Sequence, residues 1–249
     1  MDSTMALDAG VTVSLLAYKE AENLRILIPE IVSAMDQLGV PYTIQVVDTK
    51  EALDDTPDVC RQWRDKGYDV VYWNQEEPGF GGAFKTAIAK AGRELFLILD
   101  SDGSHNPACI PAMYSTFVAD HCDVVIGSRY VKGGITHDSK SSIVMSHILN
   151  TVFRLAIGIK AKDISTDFRL YRTDQLKAVK LENVNYDVLQ EVLLKLKLNK
   201  RDLKIEEVPI SFEKRKFGES KRRLIPFIMS YIRSLFRLTW MRITAVRKK

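Results

Sequence analysis

The chain is poor in the residues that anchor small or exported folds. Its three cysteines, Cys60, Cys109 and Cys122, show no CxxC spacing and cannot all pair. That excludes a disulfide framework and a cysteine-rich zinc site, and makes a reducing compartment the expectation. Histidine is scarce too, with four residues, and no nucleophile–histidine triad is recognisable. Eight prolines and thirteen glycines are ordinary usage, which rules out a collagen-like or disordered chain. The start, MDSTMALDAG, has neither the basic nor the apolar region of a secretory signal. Uncharged stretches such as 141–153 fall short of the roughly 20 apolar residues that a spanning helix needs, so no membrane crossing is expected. What remains, 46% hydrophobic and 27% charged over 249 residues, suits one generous globular domain or two cramped ones.

Acidic charge is missing from one end. Residues 213–249 hold twelve of the 36 Lys and Arg but only two of the 32 Asp and Glu, a net of +10. The first 212 residues are therefore net negative by six within an overall charge of +4. A mildly acidic body with a strongly basic end implies an anionic partner there: nucleic acid, phospholipid or a phosphorylated ligand.

Hydrophobic patterning alternates strand and helix. Strands are expected at 11–16, 43–47, 69–73, 94–99 and 123–126, with helices at 22–38, 57–66, 79–91 and 106–119 between them. This order implies right-handed βαβ crossovers and a mainly parallel sheet covered on both faces. Further on, helices are expected at 139–157, 187–198 and 224–246, a short strand at 168–172, and an edge strand at 204–212 because Pro209 cannot donate to a ladder.

Ligands of such sheets lie outside the carboxyl ends of the strands, which directs attention to the residues just past them. After the fourth strand comes Asp100-Ser101-Asp102-Gly103, hard oxygen donors suited to Mg²⁺ or Mn²⁺ shared with a substrate's phosphates. Alone, a DxD reads better as a helix-capping turn. Its companions shift the balance. Asp48 ends the second strand, Gly79, Gly81 and Gly82 open a helix after the third, and Arg129 follows the fifth. The body's negative charge and the absence of a nucleic-acid motif speak against nucleic acid as partner. A nucleotidyltransferase would want a glycine-rich loop after the first strand, where Ala17-Tyr18-Lys19-Glu20 stands instead.

These segments, in this order from Val13 to Lys221, resemble the family-2 inverting glycosyltransferases, and among them the dolichyl- or polyprenyl-phosphate sugar synthases. The resembling motifs include Asp100-Ser101-Asp102-Gly103-Ser104-His105-Asn106-Pro107, Gly127-Ser128-Arg129-Tyr130, Asp163-Ile164-Ser165-Thr166-Asp167-Phe168-Arg169, and Arg215-Lys216-Phe217-Gly218-Glu219-Ser220-Lys221 as an R-x-x-G-x-S-K signature. The resemblance implies a GT-A type α/β domain over 1–212 and a basic, amphipathic helical segment over 213–249 at a membrane surface. It implies metal-dependent transfer of a sugar from a nucleotide-diphosphate sugar to a polyprenyl phosphate. Ala17, Tyr18, Glu20 and Asp48 would line the nucleotide pocket. Asp100, Asp102 and Ser104 would hold Mg²⁺ or Mn²⁺. Arg129 and Ser146 would meet the acceptor phosphate, and Arg215 and Lys221 would grip phosphate groups. A phosphate monoester, with a second pKa of about 6, attacks as a dianion and needs no strong base. A sugar hydroxyl as acceptor would need one, and Asp167 is then the candidate. A non-catalytic sugar-nucleotide-binding relative is the other alternative. The enzyme would sit in the cytoplasm against the cytoplasmic face of a membrane, with an integral-membrane partner or a second copy left open. The chain departs from the family pattern at Leu16 and Lys19, at Thr49-Lys50-Glu51 after Asp48, and at Ser141, Ser142 and Ile143 ahead of Ser146.

Overall fold

A computed structural model describes residues 8–215, 217 and 224–247 of the chain. The first half is the expected alternation: β1 (Asp8–Leu16), α1 (Ala21–Leu38), β2 (Tyr42–Asp48), α2 (Thr56–Asp65), β3 (Val70–Asn74), α3 (Gly79–Lys90), β4 (Arg93–Asp100), α4 (Ile110–Ala119) and β5 (Val124–Ser128). The helix expected over 106–119 starts instead as a 3₁₀ turn at Pro107–Cys109, capped by the Asn106 side chain accepting from the Ala108 N–H, before α4 proper. After β5 come a short β6 (Ile135–Thr136), α5 (Lys140–Ile157), β7 (Arg169–Arg172) and α6 (Thr173–Lys177). The chain closes with α7 (Val188–Asn199), β8 (Ile205–Pro209), β9 (Ser211–Phe212) and α8 (Leu224–Arg247).

Seven strands form one sheet in the order β3-β2-β1-β4-β7-β5-β8. All neighbours are parallel except β7, which runs antiparallel to both β4 and β5. β8 is the edge strand, with Pro209 as its last residue, so the missing N–H costs no ladder bond inward. The strand expected over 204–212 divides after Pro209 into β8 and β9, and β9 pairs with β6, which the hydrophobic pattern does not announce, in a separate two-stranded sheet.

Alternation along each strand sends side chains to two layers. In β4, Leu95, Leu97 and Leu99 join the core under α1, α2 and α4, while Phe96 and Ile98 join the core under α3, α5, α7 and α8. The order 3-2-1-4 places the site. From β1 the chain winds one way to β2 and β3, and α3 then carries it back across to β4 on the other side. The carboxyl ends of β1 and β4 therefore flank the point where the winding direction changes, and loops leaving there must diverge and leave a crevice. Leu16 is in register with Asp100 and with Val47, so the candidate residues after β1, β2 and β4 emerge at one edge.

Candidate active site

A cleft of about 710 Å³ opens at that edge. Its walls are Leu16–Tyr18 and Glu20 after β1, Thr49–Glu51 and Leu53 after β2, Gln75 and Pro78–Phe80 before and within α3, and Asn185 and Tyr186 before α7. Asp100, Ser101, Asp102 and Arg215 complete its lining.

The acidic pair is held unequally. Asp102 is buried, and its Oδ1 accepts from the Ser104 N–H at 2.9 Å and from the Ser104 hydroxyl. Its Oδ2 meets Arg215 Nη2 at 2.8 Å. Ser104 is thus a clamp on the carboxylate. Asp100 is the more open of the two, with a quarter of its side chain exposed (24%). Behind it lies the fully buried His105, whose Nδ1 accepts from the Asp100 N–H at 3.1 Å. Burial drives the His105 pKa down despite Asp100 and Asp102 nearby, so the ring is neutral and acts as an acceptor there. Asp167, also buried, lies 3.6 Å from the same Nδ1 and, like Arg129, is not part of the cleft wall.

Two carboxylates on the cleft lining, one of them already oriented by a hydroxyl and a backbone N–H, are a donor set that fits Mg²⁺ or Mn²⁺. Asp100, His105 and Asp167 also lie within 4.8 Å of one another, but the His105 Nδ1 is engaged by backbone, so the oxygens of Asp100 and Asp102 are the better donors.

Several expected binding residues prove to be placed differently. Asp48 is wholly buried behind the Thr49–Glu51 wall, with Oδ1 accepting from the Thr49 N–H at 2.7 Å and Oδ2 from the Tyr72 hydroxyl at 3.1 Å. Burial raises its pKa, against the pull of the Thr49 N–H. Ala17 and Tyr18 do line the cleft, and Lys19 beyond them takes a left-handed backbone (φ 59°), which Lys adopts only under strain. Glu20 is buried, accepts from Asn23 and reaches Arg215 Nη1 at 3.4 Å. Of the three glycines only Gly79 lines the cleft. The Gly81 N–H is spent on the Val184 carbonyl at 2.9 Å, and a Cβ on Gly81 would sit 2.3 Å from the Asn183 carbonyl oxygen. A Cβ on Gly82 would meet the Glu77 carbonyl at 2.0 Å. Gly81 and Gly82 serve close backbone packing, a correction to their reading as ligand-approach residues.

Arg129 and Ser146 come together as expected, at 3.3 Å, but outside this cleft. The guanidinium is held by the buried Asp163 (Nε–Oδ2 2.7 Å, Nη2–Oδ1 2.9 Å) and by the Ser165 hydroxyl at 2.9 Å. It also lies over the Tyr130 and Phe212 rings. Although burial opposes charge on both partners, their mutual hydrogen bonds raise the Arg129 pKa and lower that of Asp163. The Phe212 ring touches both groups, 5.1 Å from the His105 ring and 5.1 Å from the Arg129 guanidinium. β9, which carries Phe212, is fastened to the acidic loop by the Glu213 N–H donating to the Ser104 carbonyl. It leads directly to Arg215. Lys221 lies outside the described residues.

The sequence reading missed Asp163 as the partner of Arg129, and Phe80, Asn185 and Tyr186 as cleft wall. A separation of 34 positions between Arg129 and Asp163 carries no spacing signal. The acidic Asp163-Ile164-Ser165-Thr166-Asp167 run was the only available pointer.

Two solved structures share this architecture over 93% of the chain. Both are glucosyl-3-phosphoglycerate synthase from Mycobacterium tuberculosis. One is in complex with Mn²⁺, UDP and glucosyl-3-phosphoglycerate (TM-score 0.69, 17% identity, 80% of that chain). The other is in complex with Mn²⁺, UDP and phosphoglyceric acid (TM-score 0.70, 18% identity, 78% of that chain). The sheet order, the crevice at its switch point and this likeness define a GT-A type glycosyltransferase fold. The chain belongs to glycosyl transferase family 2, whose profile matches residues 12–179. It is similar to the dolichol-phosphate mannosyltransferase of Pyrococcus furiosus, with 32% identity over 92% of this chain and 63% of that protein. It is also similar to the undecaprenyl-phosphate mannosyltransferase of Micrococcus luteus, with 30% identity over 82% of this chain and 84% of that protein. The chain thus spans less than two thirds of the Pyrococcus protein's length.

Proposed function

We propose that the protein transfers a sugar, with inversion, from a nucleotide-diphosphate sugar to a polyprenyl phosphate at a membrane surface, using Mg²⁺ or Mn²⁺. The observation that carries the lipid half of this reading is an exposed apolar face on two helices packed against each other. On α5, Val144, Met145, Ile148, Val152 and Leu155 are exposed along one stripe, Leu155 by 75%. On α8, Met229, Ile232, Phe236, Trp240 and Ile243 form a second, with Phe236 exposed by 72% and Trp240 by 67%. The two helices meet through Phe153 and Tyr231 and through Arg242, which donates to the Leu155 and Ala156 carbonyls at the end of α5. No helix of the described residues is long and apolar enough to cross a membrane. A paired apolar surface, with Arg233 exposed beside it, suits lying in the interface instead. Residues 1–212 would then be the catalytic body, and 213–249 the strap and membrane-facing segment.

In this reading Asp100 and Asp102 hold the cation, which when bound offsets the charge growing on the diphosphate leaving group. Arg215, now paired with Asp102 and Glu20, is within reach of the same phosphates and exchanges a carboxylate for a phosphate partner when donor enters. The acceptor phosphate, mostly dianionic above its second pKa of about 6, attacks without a base. Arg129, kept charged and fixed by Asp163, faces the acceptor, and Ser146 and Ser165 add hydroxyls beside it. Glycosyl transfer to lipid explains the basic end as well, since each basic residue near an anionic leaflet contributes about 1 kcal/mol.

The test is a panel of donors (GDP-mannose, UDP-glucose, UDP-GlcNAc) carrying labelled sugar, incubated with polyprenyl phosphate and Mg²⁺ or Mn²⁺. Label passing into organic solvent with one donor, and its loss in Asp102→Ala, is the expected result. Organic-phase label undiminished in Asp102→Ala would overturn the metal assignment. No lipid product from any donor would overturn the acceptor.

A further inference from the structure

One wall of the cleft belongs to no strand end. Residues 182–187 run from α6 to α7 and place Asn185 and Tyr186 on the cleft, where Tyr186 stacks on Phe80 with ring centroids 4.4 Å apart. From one side this segment rests on α3, with the Val184 carbonyl accepting from the Gly81 N–H. From below, the buried Glu191 carboxylate accepts from the backbone N–H groups of Glu182 and Asn183 at 2.8–3.1 Å. Lys195 of α7 lies 3.9 Å from the Glu182 carboxylate, and a further set of contacts comes from α8. Asn183 Nδ2 donates to the Ser234 hydroxyl at 3.1 Å, and Asn185 Nδ2 to the Ser230 hydroxyl at 3.0 Å. Ser230 in turn donates to Asp187 Oδ1 at 3.2 Å. Arg237 donates to Asn183 Oδ1 at 2.7 Å and pairs with Glu182 and with Glu191, the latter at 3.1 Å.

Ser230, Ser234 and Arg237 follow one another at i, i+4 and i+7, so they share one face of α8. Met229, Ile232, Phe236, Trp240 and Ile243 occupy the opposite, exposed face. Ser234 is 2% exposed, and serine is a poor helix former, so its place in the helix is explained by the bond it makes. We infer that Ser230, Ser234 and Arg237 are positioning residues for the donor: the polar face of α8 sets the Asn183–Tyr186 wall, while its apolar face meets the membrane. This rests on the proposed function in that the cleft's ligand is a nucleotide-diphosphate sugar.

The test compares the full-length parent with the Ser230→Ala/Ser234→Ala variant and with Leu238→Ala. Leu238 is a fully buried α8 residue turned to the core, and its loss reports general loosening of the helix. Donor binding is measured by calorimetry with GDP-mannose, UDP-glucose and UDP-GlcNAc in the presence of Mn²⁺ and without acceptor, beside sedimentation with phosphatidylglycerol vesicles. The serine variant is expected to bind donor about tenfold more weakly, the weight of one or two hydrogen bonds, with vesicle sedimentation unchanged. Leu238→Ala is expected to unfold at a lower temperature with donor affinity within about twofold of the parent. Donor affinity of the serine variant within about twofold of the parent would overturn this inference alone, as would an equal loss in Leu238→Ala. A parent that binds none of the donors would overturn the functional reading and this inference with it.

Discussion

Arg129 reaches its place through a partner far along the chain. Asp163 is wholly buried, and its two oxygens take the Nε and Nη2 hydrogens of the guanidinium as well as the Arg129 backbone N–H. A buried ion pair of this kind adds little over an apolar pair, but losing one member strands the other. Asp163→Asn is therefore expected to cost about 3 kcal/mol at pH 7, read by chemical denaturation. The sign with pH follows from the carboxyl being held below its usual value in the folded protein. Its stabilisation is complete above the unfolded pKa of about 3.9 and is lost as pH falls through the lower folded value. The gap between parent and variant should consequently close below about pH 4. A gap that stays constant to pH 3 would show that the pair carries no net charge coupling. Asp48 illustrates the opposite case at the same scale. A strand-end aspartate looks like a ligand contact in sequence, yet here it is enclosed by Thr49 and Tyr72, and burial lifts its pKa.

At the scale of elements, the start of α3 shows how one motif serves two purposes. Gly79 has φ +82° and lines the cleft, whereas Gly81 is bare because the 183–184 backbone lies against it. Gly81→Ala places a methyl 2.3 Å from the Asn183 carbonyl oxygen and must push the 182–187 segment outward. A loss of about 2 kcal/mol in thermal or chemical denaturation is expected, with weakened donor binding. Gly92→Ala, where a Cβ meets nothing within 4 Å, should stay within about 0.5 kcal/mol of the parent. Equal effects at the two positions would refute the packing role. The strands and helices of the first half were legible from periodicity because each reports its own burial locally. β6 was not, since a two-residue strand has no period to read, and the alternation over 204–212 does not mark where β8 ends and β9 begins.

For the whole molecule the decisive feature is that α8 is integral. Tyr231, Ser234 and Leu238 are buried against α5 and α7, so α8 is packed on the body at the same time as it presents an apolar face outward. Truncating the helix would bare the core that Tyr231 and Leu238 cover, and would confuse loss of folding with loss of membrane contact. Phe236→Asp/Trp240→Asp changes only the outward face. Both side chains are mostly exposed, so each substitution should cost no more than about 0.5 kcal/mol of folding stability. Withdrawing two aromatics from an interface, each worth about 2 kcal/mol, should reduce vesicle sedimentation more than tenfold. Undiminished sedimentation would place the membrane contact elsewhere.

The sequence by itself determined the alternating α/β order, the carboxyl-edge position of Asp100, Asp102 and Arg129, and the family. All of these follow from short-range patterns: period-2 and period-3.6 hydrophobicity, and motifs a few residues long. Only the tertiary structure decided which residues share a cleft. It paired Arg129 with Asp163, brought Arg215 onto Asp102, withdrew Asp48 and Asp167 from the cleft wall, and set α8 against the segment that carries Asn185 and Tyr186. Contacts across tens of residues depend on how layers stack and where the winding of a sheet reverses. Neither leaves a period in the chain that makes them.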